Sequence, residues 1–157
     1  MSLQELQAVV DRSLANASPL ARALFGRSHF DATAIEAFVN RVGSATIATV
    51  RRDGRPHAAW TLACCAGGVI YFAAADGSVL LRTLRANDAV ALTVTEQDHG
   101  LMADGRARIL GRRSELPELM PALDTASSRG RFVDKDWDGS EWNGWICAVD
   151  LERVFAS

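Results

Sequence analysis

Residues 44–74 read SATIATVRRDGRPHAAWTLACCAGGVIYFAA, three strand-sized runs separated by two glycine turns. Ser44 to Arg51 is rich in Thr, Ile and Val and reads as a strand. Arg52-Asp53-Gly54-Arg55 carries the Asp-Gly hairpin signal, for which a type I′ turn with positive φ at both central residues is expected. Further strands are predicted from Arg55 to Cys64 and from Val69 to Ala74, with Gly67-Gly68 between them. Connections this short force antiparallel neighbours. Ala58 to Ala75 holds no charge over 18 residues, the lower limit for a membrane span. The Gly67-Gly68 pair divides it into strand-length halves, so two buried strands are expected there and no membrane span.

Downstream, Asp76-Gly77-Ser78 opens a predicted helix from Val79 to Ala86, with Ser78 as N-cap and Asn87 closing it. Val90, Leu92 and Val94 alternate with Ala91, Thr93 and Thr95, the pattern of a half-buried strand. Leu101 to Leu110 alternates too, with Asp104, Arg106 and Arg108 on the opposite face. Leu116, Leu119, Met120 and Leu123 predict a helix that tolerates Pro117 only in its first turn. Residues 127–143 read as a long loop, and Trp145 to Phe155 as a last strand. Upstream, the first 42 residues are helical in pattern. Pro19 breaks the run, Thr33 and Glu36 form a capping-box pair, and Ile35, Phe38, Val39 and Val42 make one apolar stripe ending at Gly43. Residues 1–30 are thus expected to be a helical extension and 31–157 a barrel domain. Antiparallel strands on short turns favour a small closed barrel, which also removes the edges of the apolar hairpin.

The 157 residues carry 17 basic and 19 acidic side chains, a net charge of −2, which gives no basic field for nucleic acid. Lys135 is the only lysine, so an anion site must rely on arginine forks or backbone amides. A chain of this length buries roughly two-thirds of its unfolded surface without disulfides. Of the three cysteines, Cys64 and Cys65 are adjacent, and no signal-peptide pattern opens the chain, so a reducing cytoplasm is the expected location.

Ala45-Thr46-Ile47-Ala48-Thr49-Val50 followed by Asp53-Gly54-Arg55-Pro56-His57 resembles the opening hairpin of the pyridoxamine 5′-phosphate oxidase-like flavin-binding split-barrel superfamily. Val69-Ile70-Tyr71-Phe72, Gly77-Ser78, Arg82 to Asn87, Val90 to Val94, Gly105-Arg106-Ala107 and Glu152 to Phe155 continue the resemblance in order. It implies an α+β fold, mainly β with flanking helices: a six-stranded antiparallel split β-barrel. It also implies a homodimer with FMN or deazaflavin at the subunit interface, and an oxidoreductase that moves hydride to or from a small organic substrate. In such proteins the phosphate lies where the third strand meets the short helix, commonly at a Gly-Ser-Arg-Lys-like segment. Here Val79 and Leu80 stand in place of the Arg-Lys pair, and Ala59 stands where the oxidase itself has a basic residue. The alternative reading is a non-catalytic barrel that holds haem or another small ligand after losing its phosphate cations.

The resemblance makes Trp60, Thr61, Ala73 and Ala74 candidates for the cofactor ring, and Ser78 and Arg82 candidates for its phosphate. Ser78, Arg82 and Arg85 also share one predicted helix face, either an anion cradle or a solvated stripe. Trp142 is a further ring candidate from the Trp-rich segment, beside Trp145. Asp134 to Gly139 matches the first half of a calcium loop, but Trp145 stands where its bidentate Glu belongs. His29, His57 and His99 show no metal-ligand spacing, and no metal site is expected. A single histidine would suffice as a haem ligand, and His99 precedes a strand at the expected pocket mouth. There is no nucleophile elbow, P-loop or dinucleotide fingerprint, so redox chemistry would reside in the cofactor.

Overall fold

The computed structural model describes residues 1–128 and 144–157. Three helices, α1 (Leu3–Ala15), α2 (Pro19–Phe25) and α3 (Ala32–Val42), precede strands β1 (Ser44–Val50), β2 (Pro56–Ala66) and β3 (Val69–Ala74). Helix α4 (Val79–Ala86) leads to β4 (Ala89–Glu96) and β5 (His99–Arg112), followed by two short 3₁₀ turns, α5 (Met120–Ser128) and β6 (Trp145–Ala156). The six strands close a barrel in the order β1-β2-β3-β6-β5-β4, with every neighbouring pair antiparallel. This is the small closed barrel that antiparallel strands on short turns favour, and the six-stranded α+β fold that the resemblance implies.

Inward residues of the strands, among them Ile47, Ile70, Phe72, Leu92 and Leu101, join Ile35, Phe38 and Val39 of α3 in one core. Leu6, Val9 and Val10 of α1 enter the same core, and α5 covers a smaller cluster with Leu62, Cys64, Ala73 and Ile146.

Two turns differ from expectation. Only Gly54 of the Asp53-Gly54 pair has positive φ (84°), and Arg51 N–H donates to Arg55 O over 2.9 Å. The loop therefore has three residues, Arg52 to Gly54, closed by a left-handed glycine, rather than a two-residue type I′ turn. At Gly67-Gly68 both φ angles are positive (59° and 84°), as a primed turn requires. An alanine Cβ at Gly68 would lie 2.5 Å from the Ser2 carbonyl oxygen, so the start of α1 sits directly on this hairpin.

The capping-box expectation at α3 is displaced. Asp31, not Thr33, is the N-cap and accepts from Ala34 N–H at 2.8 Å. Glu36 instead reaches the β2–β3 hairpin, accepting from Gly68 N–H at 2.9 Å, while Asn40 brackets the Cys65 backbone with bonds of 2.7 and 2.8 Å. Tertiary polar partners outcompeted the local one. Helix α5 also runs through Ser128, past the predicted start of the long loop. The Asp134–Gly139 motif and Trp142 lie outside the described residues.

Candidate functional site

Helix α4 carries the strongest site geometry. Ser78 is its N-cap, extended in backbone, and its Oγ accepts from Leu81 N–H at 3.1 Å. Leu80, Leu81 and Leu84 point into the core, which turns Val79, Arg82, Arg85 and Ala86 outward. Thr83 pins the helix to the barrel: its buried Oγ1 lies 3.0 and 2.9 Å from the Val79 and Leu80 carbonyl oxygens. With the Thr83 proton serving those carbonyls, Thr49 Oγ1 of β1 donates to Thr83 Oγ1 over 2.9 Å.

That pin places α4 beside the β1–β2 hairpin. Between them lies a pocket of about 480 Å³ lined by Arg51 and Arg52 from the hairpin and by Val79, Arg82, Thr83, Arg85 and Ala86 from α4. Among the described residues, none of these four guanidinium groups is within ion-pair distance of a carboxylate. The two acids adjacent in sequence are engaged elsewhere. Asp53 is held by Arg55 at 2.7 Å, whose hydrogen bonds keep its carboxyl below the usual range. Asp76 accepts from Trp145 Nε1 and from Arg112, each at 3.2 Å, and these bonds lower its pKa as well, the Trp145 bond most. Arg51 also sits 3.5 Å from His57 Nδ1. Uncompensated cations around a concavity are a site for an anion, and planar forks suit phosphate or carboxylate.

Of the candidates named from sequence, Arg82 lines this pocket and Ser78 caps the helix that bears it. Arg51 and Arg52 were not anticipated. The Arg-Arg pair before Asp-Gly was visible, but only tertiary closure brings it to α4. Of the two family cation positions, Val79 lines the pocket and Leu80 is 4 % exposed inside the core. Arg51 and Arg52 of the hairpin line the same pocket as Val79.

The ring candidates lie apart from this lining. Trp60 is 56 % exposed on the outer face of β2, opposite Thr46 of β1. Thr61 Oγ1 donates to the Ala73 carbonyl at 2.7 Å. Ala73 and Ala74 are buried, Ala73 under α5 and Ala74 in the barrel core, so their side chains present nothing to a ligand. Ala59 packs against the core. Trp145 is half-buried at the Ala74 end of β6, with Arg85 and Arg112 at 5.2 and 4.8 Å from its ring centroid. It links Arg85 to the Asp76 network. His99 packs beside Phe30 and Phe38, with centroids at 5.5 and 6.2 Å, and no histidine lines the arginine pocket.

The thiols belong to the core. Burial pushes Cys64 and Cys147 up to about 12, and raises Cys65 further, with Glu36 adding to the effect. In the unfolded chain such thiols ionise near their ordinary value of about 8.5. Their contribution to stability is therefore complete below that pH and falls as pH rises toward 12, by about 1.4 kcal/mol per pH unit for each thiol. Native protein at pH 8 should resist iodoacetamide at all three, denatured protein should react at all three, and the unfolding free energy should drop steeply above pH 9. Rapid labelling of the native state would contradict this burial.

Comparison with known proteins agrees with the barrel. The family model described as pyridoxamine 5′-phosphate oxidase matches residues 32–135, from α3 onward. Among solved structures, the conserved hypothetical protein Rv2991 from Mycobacterium tuberculosis is similar at 20 % identity, with a TM-score of 0.61 over 78 % of this chain and 81 % of that one. An F420 reductase is similar at 22 % identity and TM-score 0.58, over 76 % of this chain and 94 % of that one. A FAD binding protein from Mycobacterium smegmatis is similar at 16 % identity and TM-score 0.55, over 82 % and 95 %. At these identities the likeness is one of fold. No curated protein is significantly similar to the chain.

Proposed function

Since the chain belongs to the pyridoxamine 5′-phosphate oxidase family, we propose that it binds a flavin or deazaflavin through the arginine pocket and acts as an oxidoreductase on a small organic substrate. The observation that carries this reading is the set of four arginines at α4 and the β1–β2 hairpin that, among the described residues, have no carboxylate within ion-pair distance. Two of the solved structures of the same fold are named for F420 and FAD. When bound, such a cofactor supplies the hydride chemistry, and the protein's part is to hold and orient it.

In this reading Arg82 and Arg51–Arg52 take the phosphate, while Ser78 fixes the start of α4. The outer face of β1 and β2 then runs from Val50, next to Arg51, to Trp60. Trp60 pairs with Thr46, four residues from Val50 and about 13 Å along the strand. A tricyclic ring with a ribityl phosphate arm spans that interval and brings its ring to the exposed indole. The Thr61–Ala73 bond stiffens the β2–β3 platform beneath. Trp60 shares this outer face with Thr46, Thr93 and Met102 in register, and Met102 is 48 % exposed. A second copy of the chain covering the face would enclose the ring, which is the homodimer the resemblance implies. The alternative is a haem-binding barrel: one solved structure of the same fold is named as a heme binding protein from Mycobacterium smegmatis, although no histidine of this chain lines the arginine pocket.

Titration of the purified protein with FMN, followed by fluorescence quenching, tests the proposal. Saturable quenching at micromolar FMN, with a sedimentation mass of two chains, is the expected result. A Soret band in the isolated protein, or no quenching at high micromolar FMN and none with a deazaflavin, would overturn it.

A further inference from the structure

Among the described residues the four most exposed large apolar side chains are Leu20, Leu24, Trp60 and Met102, at 69, 61, 56 and 48 %. They belong to one surface. Cross-strand register sets Trp60, Thr46, Thr93 and Met102 in a single row over β2, β1, β4 and β5, and the two leucines of α2 border its Met102 end. Single exposed apolar residues are ordinary, whereas a contiguous set marks an interaction surface. The outward positions of β1 and β4 along this row, Thr46, Ala48, Ala91 and Thr93, are small and uncharged. The outer face of β5 and β6 is different, carrying the ion pairs Asp104–Arg153, Arg106–Glu152 and Arg108–Asp150.

Helix α2 buries none of its residues, yet it is fixed in place. Phe25 stacks on Phe155 of β6 with ring centroids 5.5 Å apart, Arg22 donates to the Ala15 carbonyl at 2.8 Å, and Ser18 caps the first turn. Leu20 and Leu24, one helical turn apart, share a face. With Thr93, Met102 and Phe155 they line a groove of about 450 Å³. Because α2 precedes residues 32–135, the groove is built on a part of the chain that the family match leaves out. Trp60 and the groove stand at opposite ends of the row, three strand spacings or about 14 Å apart. A two-fold axis between Thr46 and Thr93 brings each Trp60 over the other copy's groove, so one contact forms twice. That is the self-complementarity of an isologous interface, with a large aromatic as the anchor in a pocket. An uncharged row needs no counter-charge, which suits a second copy of itself.

We propose that the groove between α2 and the β4–β5 face receives the partner's Trp60, so that α2 locks two copies of this chain together. The inference rests on the homodimer in the reading above and adds to it a contact made by the helical extension. Trp60 then stands between the proposed cofactor ring and α2 of the other copy, which closes that end of the site to water.

Sedimentation of the full chain at micromolar concentration reads the contact. Trp60→Ala should raise the dimer dissociation constant by about 100-fold or more, the loss expected of a buried aromatic anchor. Leu20→Asp with Leu24→Asp should do the same from the groove side, so both variants sediment as one chain. An equal mixture of the two should regain a two-chain species, because the intact Trp60 of one variant meets the intact groove of the other. Leu110→Asp, at an exposed leucine at the far end of β5 from Met102, should leave the mass unchanged. Melts of the variants should show a retained fold, since every side chain changed is exposed. Variants that stay dimeric, or a mixture no heavier than its components, would overturn the α2 contact; in the first case the homodimer stands without it. A parent that sediments as one chain would overturn both, and the FMN titration then decides the cofactor reading alone.

Discussion

Gly105→Ala is expected to destabilise the barrel by about 3–5 kcal/mol, one of the largest effects available to a single methyl group in this chain. Gly105 lies at the bulge where the β5–β6 register shifts between Asp104 and Gly105. A Cβ there would sit 2.1 Å from the Asp150 carbonyl oxygen and 3.1 Å from Leu151 Cα. Both are backbone atoms of the paired strand, so no side-chain rotation relieves the contact, and β6 would have to move away from β5. Gly100 is the matched control, because its Cβ would meet nothing within 4 Å. Denaturant unfolding should give a midpoint unchanged for Gly100→Ala and far lower for Gly105→Ala, equivalent to a drop in Tm of about 10 °C. Indistinguishable midpoints would mean that β6 does not approach Gly105 in this way.

Arg82→Glu is expected to lower FMN affinity by a factor of about 100 or more while leaving Tm almost unchanged. The substitution removes a charge-assisted bond worth about 1.5–3 kcal/mol and sets a carboxylate where a phosphate would lie. Stability should not follow, because Arg82 is exposed and forms no ion pair among the described residues. Its removal also relieves repulsion with Arg85 and the hairpin pair. Quenching titrations read the affinity, and a thermal melt reads the fold. An affinity within threefold of the parent would move the phosphate away from α4, and a collapse of the melt would make Arg82 structural.

The barrel was legible because its punctuation is local. Gly67-Gly68 and Asp76-Gly77-Ser78 set the limits of β3 and the start of α4, and these boundaries match the structure residue for residue. Local signals were weaker wherever a distant group competed. Thr33 and Glu36 satisfy a capping pattern, yet Asp31 takes the cap and the Glu36 carboxylate bonds to Gly68, 32 residues away. Asp53-Gly54 marked a turn correctly but not its length, since the left-handed glycine closes a loop that includes Arg52.

Site prediction met the same limit. Arg82 was reachable from helix spacing, whereas Arg51 and Arg52 meet it only because Thr49 and Thr83 lock β1 against α4. Ala73 and Ala74 were ring candidates through the resemblance alone. The uncharged run from Ala58 to Ala75 already implied buried strands, and the structure covers β3 on both sides, by α5 and by the barrel interior. That Val79 and Leu80 stand in place of the basic pair was plain from sequence, whereas the placement of Arg51 and Arg52 beside α4 was not.

A crystal structure of the protein with bound FMN tests the central claim most directly. The phosphate should lie within hydrogen-bond distance of Arg82 and of at least one hairpin arginine, Arg51 or Arg52, with the ring over β2 beside Trp60. FMN bound elsewhere, with Arg51, Arg52, Arg82 and Arg85 touching no ligand atom, would contradict it.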